Sequence, residues 1–264
     1  MLAAVNNDKI KFMQQYFQLL EVFTLREIKY RYKASILGLS WIIIYPLVVA
    51  IMLNIVFGVF VKVPTENVPY FLFVLSGFLF WNFFQQGIMY AKDSLVWNRD
   101  LVIKSSFQKN SLPLSYVLAR IPDFFVNFII FLIFFMASGR PLQLNFLYVF
   151  FLFIPLAFFA AGISLISSIT NAIFRDFGRI IDLIFMIMFY ISPIVYSDSI
   201  IPQGYKAIIL VNPLSLSIIV ARNILFKSHF SIDLFILAMG EGLIVFIIGF
   251  IFFKKMERKV ADLI

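Results

Sequence analysis

Long apolar runs alternate with short polar segments along almost the whole chain. A helix needs roughly 20 mostly apolar residues to cross about 30 Å of hydrocarbon, and six segments reach that length. They lie near 37–60, 69–91, 114–137, 144–169, 178–197 and 233–253. Phe, Ile, Leu and Val dominate these runs, and most charged residues stand between them. The pattern therefore predicts an all-α integral membrane protein with six transmembrane helices.

The segment before the first run has a different period. Over residues 11–23, apolar side chains recur at helical spacing opposite Lys, Gln and Glu, which is typical of an amphipathic helix lying in the membrane interface. Farther along, Glu27 and Arg31 fall on the apolar face and weaken the pattern. We therefore divide the chain into a cytoplasmic, interfacial segment, 1–34, and a six-span membrane domain, 35–264.

A basic run closes the interfacial segment. Its members are Arg26, Lys29, Arg31 and Lys33. Such side chains bind lipid phosphates or a partner, or they only anchor the topology of the chain. Both interpretations stay open from the sequence.

Shorter apolar pieces lie between the fifth and sixth runs, in residues 198–232. Pro202, Gly204 and Pro213 interrupt them, and each piece is too short to cross the membrane. They predict short re-entrant helices, which are tolerated only against protein or a water-filled cavity. A plain outer loop with surface helices is the alternative.

Composition and charge agree with a membrane environment. Hydrophobic residues make up 62% of the 264 positions and charged residues 14%, against about 45 to 50% and about 25% in soluble domains. A net charge of +8 raises the question of nucleic-acid binding, but 16 of the 22 Lys and Arg residues fall in 1–34, 92–112, 170–179 and 254–264. These segments would share one side of the membrane, so the charge indicates topology, with both termini in the cytoplasm.

The residue types exclude several kinds of chemistry. With no Cys and one His, His229, the chain cannot form disulfides or a histidine metal cluster. The ionisable groups inside the spans are Arg120, Asp123, Asp182 and Glu241; Arg120 and Asp123 are one helical turn apart and would pair. This set offers no catalytic constellation, and there is no Gly-rich phosphate loop ending in Gly-Lys-Ser or Gly-Lys-Thr. We expect no catalysis, metal or cofactor on this chain.

The polar segment 91–112 is long for a simple connection. Its centre, 97–103, predicts a short helix with an apolar tip flanked by charges. Such a tip on the cytoplasmic side is typical of a docking element for a soluble partner. Packing on the membrane surface is the alternative.

Aromatic residues make up 19% of the chain. Trp41, Tyr45, Tyr190 and Tyr196 combine an apolar ring with a polar group, which suits stacking against sugars. Anchoring in the membrane interface is the alternative for each of them.

Several motifs follow one another over nearly the whole chain. They are Arg31-Tyr32-Lys33-Ala34-Ser35-Ile36-Leu37-Gly38 with Trp41 and Pro46; Asn98, Leu101, Val102, Lys104 and Phe107 before Leu112-Pro113-Leu114; Arg175-Asp176; Ser192-Pro193-Ile194-Val195-Tyr196; Asn212-Pro213-Leu214 with Arg222; and Ala261-Asp262. In this order they resemble the permease subunits of ABC-2 type polysaccharide exporters, which include O-antigen, capsule and teichoic acid transporters. Gln108 departs from the family, which commonly has a Pro there.

This resemblance implies a homodimer in the bacterial inner membrane that exports lipid-linked polysaccharide. Two copies of a cytoplasmic ABC ATPase would bind ATP and Mg. They would couple to this chain through Trp97, Asn98, Arg99, Asp100, Leu101, Val102, Phe174, Arg175 and Asp176. Spans one and five would line the conduit through Trp41, Tyr45, Phe185, Phe189, Tyr190 and Tyr196.

The resemblance also implies that residues 200–221 form an outer re-entrant gate and that the N-terminal helix lines the lipid entrance. Two other functions stay open. One is an ABC-2 permease for a drug or simple lipid, and the other is a membrane enzyme that acts on lipid-linked sugars.

Overall fold

The helical fold is given by a computed structural model that describes residues 2–33, 40–105, 107–174 and 176–263. Over these residues the chain forms twelve α-helices and no strand. Their bounds are α1 Leu2–Lys33, α2 Ser40–Leu53, α3 Tyr70–Ala91, α4 Ser94–Trp97, α5 Arg99–Lys104, α6 Ser111–Leu118, α7 Ile121–Ala137, α8 Tyr148–Ile173, α9 Phe177–Ile191, α10 Lys206–Leu210, α11 Pro213–Lys227 and α12 Ile232–Leu263. A π-helix, Asn54–Phe60, continues α2. The motif positions 34–38 and Arg175 lie outside the described residues.

Five of the six predicted spans are long, apolar helical segments. They are Ser40–Phe60, Tyr70–Ala91, Ser111–Ala137, Leu144–Ile173 and Ile232–Glu257. The prediction of an all-α integral membrane protein is thereby confirmed.

The predicted fifth span, 178–197, differs from the structure. Its helix α9 has 15 residues, which at 1.5 Å per residue gives about 22 Å, less than the hydrocarbon thickness. Ser192 ends the helix in an extended conformation, because the following Pro193 disfavours a helical Ser192. A further apolar segment comes from the bent pair of Gln203–Leu210 and α11, whose axes differ by 103°.

The third span is broken near its start. α6 ends at Leu118 and α7 begins at Ile121, with Pro122 in its first turn. Proline has no N–H to donate and its ring clashes with the preceding turn, so the helix cannot run straight through this point. The break leaves Arg120 at the junction between the two helices.

The core is built around α3, most of whose residues are buried. α2, α6, α7, α8 and α11 all pack against it. α11 is also buried, between α3, α8 and α12. The alternative of an outer loop with plain surface helices is therefore wrong for residues 213–227.

The helices α8 and α12 pack closely, and the glycines Gly162, Gly242 and Gly249 permit this contact. A Cβ atom on Gly162 would lie 2.5 Å from the Val245 carbonyl oxygen, and one on Gly249 would overlap the Gly162 carbonyl oxygen. Backbone atoms cannot move aside as a flexible side chain can. Small residues at such crossings let the helix axes approach, as is common between membrane helices.

Replacing Gly249 with leucine should separate α8 from α12 and destabilise the fold by about 2 to 3 kcal/mol, the usual cost of overpacking a tight contact. A fall in apparent melting temperature in detergent would record it. Gly240→Leu is the matched control on the same helix, because a Cβ atom there meets no other atom within 4 Å. Equal melting temperatures for the two variants would contradict the close-contact argument.

Candidate functional site

The segment 94–104, which we call the docking hairpin, is held at one end of the bundle by an apolar cluster. The cluster contains Phe23, Leu95, Val102, Leu112, Leu165, Ile169 and Phe253. It joins the hairpin to α1, α6, α8 and α12. In addition, the Lys109 backbone N–H donates to Glu257 over 3.2 Å. Both α1 and the C-terminal part of α12 therefore lie at the same end of the bundle as the hairpin.

The outer side of the docking hairpin is an apolar tip among charges. Trp97 is 58% exposed and Ile103 is 50% exposed, and Val96 lies exposed beside Trp97. The charged residues of this side are Arg99, Asp100 and Lys104. The Lys104 ammonium lies 3.3 Å from the Asp100 carboxylate. A half-exposed Trp within a small apolar patch is typical of a residue that contributes strongly to binding a partner protein.

Two of the predicted coupling residues point inward. Val102 is 1% exposed and belongs to the apolar cluster, so its side chain cannot meet a partner, and Leu101 is half-buried beside it. The Asn98 amide accepts from Arg26 over 2.7 Å and donates to the Ser94 carbonyl over 2.7 Å. Asn98 therefore shapes the corner between α4 and α5. The sequence missed Val96, which is exposed in place of Val102.

The second predicted coupling loop lies beside the hairpin. Phe174 and Asp176 are exposed, and Asp176 is 3.7 Å from Arg179. The link to the hairpin is Asn171, which precedes this loop. Its amide donates to the Asp93 carboxylate over 2.8 Å and to the Lys92 carbonyl over 3.3 Å. The two loops are thus neighbours on one surface.

Lys92 connects the start of the docking hairpin to α9. Its ammonium lies 3.2 Å from the Asp182 carboxylate and 3.4 Å from the Gly178 carbonyl oxygen, and the side chain is buried. The neighbouring Asp93 is also partly buried, and this burial raises its pKa while the Lys92 charge and the Asn171 amide oppose the rise. Sequence reasoning missed Lys92, which looked like any other charge at the end of a span.

The predicted conduit residues do not form one surface. Trp41 and Tyr45 are exposed on α2, and Tyr190 is exposed on α9. Phe185 was wrongly included, because its ring is 3% exposed and packs against Trp81 at 5.9 Å.

The last two of these residues have other packing roles. Phe189 is partly buried, with its ring 5.2 Å from the Trp81 ring. The Tyr196 hydroxyl donates to the Ile191 carbonyl over 2.6 Å and to the Tyr190 carbonyl over 3.0 Å, which closes the end of α9.

Within the described residues, α2 and α9 share no extended contact. α3 stands between them, with Phe78 near Tyr45 and Trp81 near Phe189. Each of the two helices keeps an exposed apolar face. In one copy of the chain, the exposed faces of α2 and α9 therefore do not enclose a passage.

Arg222 fastens the far end of α9 to α3. Its guanidinium donates to the carbonyl oxygens of Pro193, Ile194 and Phe73 over 2.5, 2.8 and 3.1 Å. It also lies over the Phe73 ring, 3.5 Å from the centroid. The side chain is buried, and five donors in a rigid fork suit such a cluster of carbonyls. α9 is thus held at both ends, by Lys92 and by Arg222.

The basic run divides into two sets. Lys29 and Lys33 are exposed and, with Arg26, line a cavity of about 670 Å³ along α1. Arg31 points the other way, into the protein, where it pairs with Asp123 and donates to the Ala119 carbonyl. For Arg31 the prediction of an interface residue therefore needs correction, because its partner is a carboxylate of α7.

Comparisons with known proteins support one family. The model of the ABC-2 type transporter family matches residues 18–226. Two O-antigen export system permease proteins RfbA of Klebsiella pneumoniae are 29% and 30% identical, and each alignment covers 97% of this chain and 99% of the relative. An O-antigen export system permease protein RfbA of Myxococcus xanthus is 28% identical over 83% of this chain and 84% of the relative.

Proposed function

Because this chain belongs to the ABC-2 type transporter family, we propose that it is the transmembrane subunit of an ATP-driven exporter of lipid-linked polysaccharide. Two relatives that align with it over almost their full length are named O-antigen export system permease proteins. The chain is then a transport subunit and no enzyme, and a partner ATPase supplies the nucleotide site with its ATP and Mg. Two copies of each subunit, in the bacterial inner membrane, complete the proposed assembly.

The docking hairpin carries this proposal. Its exposed tip of Val96, Trp97 and Ile103 stands among charges, next to the exposed Phe174 and Asp176. Apolar side chains flanked by charged ones are the usual make-up of a protein-binding patch. The patch lies at the end of the bundle that holds most of the positive charge, so we place it, with both termini, in the cytoplasm.

Lys92 provides a route from the ATPase to the conduit. When ATP draws the two ATPase subunits together, the docking hairpins would move with them. Lys92 stands between the hairpin and α9, in contact with Asp182 and Gly178, so the movement would reach α9. The opposite end of α9 stays fastened by Arg222, and the helix would therefore tilt about that end.

A second copy would complete the conduit. α2 and α9 each leave an apolar face with aromatic residues exposed, among them Trp41, Tyr45 and Tyr190. Placing these faces of two copies opposite each other would enclose a passage, and flat rings along it suit the apolar faces of sugars. This arrangement supports a homodimer and a glycan cargo.

Reconstitution tests the function directly. The chain and its ATPase, in proteoliposomes with a labelled lipid-linked glycan, should move the glycan across the bilayer only when ATP is present. A variant ATPase that binds ATP but cannot hydrolyse it should give no transport. Transport of the bare lipid at the same rate would indicate a simple-lipid permease, and chemical conversion of the glycolipid by the chain alone would indicate an enzyme.

A further inference from the structure

A cavity of about 280 Å³ lies between α2, α3 and the α6–α7 junction, near the end of α1. Its wall includes Trp41, Tyr45, Asn82, Arg31, Arg120 and Asp123. Apart from the two aromatic rings, these side chains are polar or charged. In a membrane subunit such a concentration is costly and needs an explanation.

Arg120 is the least satisfied of these groups. Its side chain is 4% exposed, and its Nη1 lies 3.6 Å from the Asp123 carboxylate. The guanidinium lies 4.0 Å above the Tyr90 ring. Its Nε and Nη2 have no hydrogen-bond partner among the described residues. Buried charged donors without acceptors cost free energy, so a missing acceptor is expected at this place.

The adjacent Asn82 also has an unpaired polar atom, which in this case is an acceptor. Its Oδ1 atom is buried and has no hydrogen-bond partner in the described part of the chain. An amide can donate through its nitrogen once a ligand turns it. Asn82 on α3 and Arg120 at the α6–α7 junction thus line the cavity from two separate parts of the chain.

The charge of the cavity favours an anion. Arg31 and Arg120 carry two positive charges and Asp123 one negative charge, which leaves a net positive charge on the wall. Arg26 and Glu27 line the neighbouring cavity, and the buried Glu27 offsets part of this positive charge because it also acts on Arg120. The start of α7 at Ile121 adds the positive end of a 17-residue helix, which the negative end of the shorter α6 at Leu118 opposes in part. Arginine forks and a helix N-terminus together suit phosphate oxygens.

The surroundings of the cavity favour an anion that is attached to a lipid. Trp41 and Tyr45 form its wall on the exposed face of α2. The same face continues with the exposed apolar residues Ile44 and Val48. A phosphate in the cavity could therefore carry an apolar chain lying along α2. An inorganic anion would gain nothing from this apolar surface.

We propose that this cavity binds the phosphate or pyrophosphate that joins the lipid to its glycan, with Arg120 and Asn82 as its ligands. The proposal rests on the proposed export of a lipid-linked glycan. It makes the cavity the place where the substrate is recognised before it enters the conduit, and it explains the unpaired donors of Arg120.

Binding of a tritiated polyprenyl pyrophosphate to the purified complex with its ATPase tests the site. Arg120→Gln should weaken binding about 10- to 100-fold, as expected for the loss of hydrogen bonds to a charged group. Asn82→Leu should weaken it several-fold while keeping the fold, because an unpaired buried amide is replaced by an apolar group of similar size. Arg140→Gln is the matched control, since Arg140 is bound to the Asn67 carbonyl in an exposed loop.

Competition identifies the source of the phosphate. Polyprenyl pyrophosphate without label should displace the probe, whereas polyprenol, phosphatidylglycerol and inorganic pyrophosphate should be at least tenfold weaker. Equal competition by polyprenol would overturn phosphate recognition, and equal competition by inorganic pyrophosphate would overturn the lipid assignment. Unchanged affinity in the stably folded Asn82→Leu and Arg120→Gln variants would also overturn the site.

The result also separates this site from the proposed function. If Arg120→Gln exports glycan at the normal rate, the site is wrong and the exporter stands. If the wild-type complex binds the probe through Arg120 but never exports glycan, the site stands and the exporter is wrong.

Discussion

Replacing Lys92 with methionine is expected to abolish export while the ATPase subunits stay bound and continue to hydrolyse ATP. Methionine fills similar space but loses the ion pair with Asp182 and the hydrogen bond to Gly178. Hydrogen bonds to charged groups are worth about 1.5 to 3 kcal/mol each, so movement of the docking hairpin would no longer reach α9. We expect export to fall more than tenfold and ATP hydrolysis to change less than twofold.

Lys62→Met is the matched control, because Lys62 is exposed in the segment between the π-helix and α3 and belongs to none of the proposed sites. Lys92→Arg should restore part of the export, since arginine can bind both Asp182 and Gly178. The stability of Lys92→Met should be close to that of the wild type, because the freed Asp182 carboxylate is half exposed and stays hydrated. Export at more than half the wild-type rate in Lys92→Met would contradict the proposed transmission.

Replacing Trp97 and Ile103 together with aspartate is expected to detach the ATPase from the membrane subunit. Both side chains are at least half exposed on the docking hairpin, so the fold should tolerate the change. Truncating a central aromatic residue of an interface costs about 2 kcal/mol or more, and the new carboxylates would add a desolvation penalty. Co-purification through a tag on the membrane subunit should fall at least tenfold, and export should stop.

Two controls separate docking from folding. Leu144→Asp with Val211→Asp adds the same charges at exposed apolar positions outside the hairpin, at the start of a 3-10 helix and between α10 and α11, and should leave co-purification unchanged. Val102→Asp should instead lower the folded yield, because Val102 is buried in the cluster that holds the hairpin. If the ATPase still co-purified in stoichiometric amounts with the Trp97 and Ile103 double variant, the docking hairpin would not be the docking surface.

The sequence was most informative where hydrophobic length decides the structure. Runs of apolar residues marked five long helical segments correctly because crossing hydrocarbon demands a minimum length. The predicted fifth span, 178–197, begins close to the start of α9 but extends past its end at Ile191. The sequence contains a signal for this end, because Pro193 disfavours a helical Ser192.

Side-chain direction was the weakest part of the sequence interpretation. In a membrane the exposed face of a helix is itself apolar, as Ile180, Leu183 and Ile187 show on α9, so hydrophobicity does not tell it from the buried face. Phe185 was assigned to a surface for this reason, although the structure buries it, and Val102 is buried as well. In the docking hairpin, Val96 and Val102 look alike in sequence, and only packing against Phe23 and its neighbours distinguishes them.

Contacts between distant charges could not be predicted from one sequence. Arg31 meets Asp123 across 92 positions, and Lys92 of the segment after α3 meets Asp182 on α9. From charge alone, many other pairs of oppositely charged residues would be equally plausible. Only the packing of α1 against α6, and of α3 near α9, selects these pairs.

The close contact between Gly162 and Gly249 has a consequence for biogenesis. Translation delivers α8 to the membrane while α9, α10, α11 and α12 have still to be made. During that interval only acyl chains can fill the groove at Gly162. Its small residues make few van der Waals contacts with them. Changes that slow the arrival of α12 should therefore prolong the exposure of nascent protein to quality-control proteases, even when the finished molecule is stable.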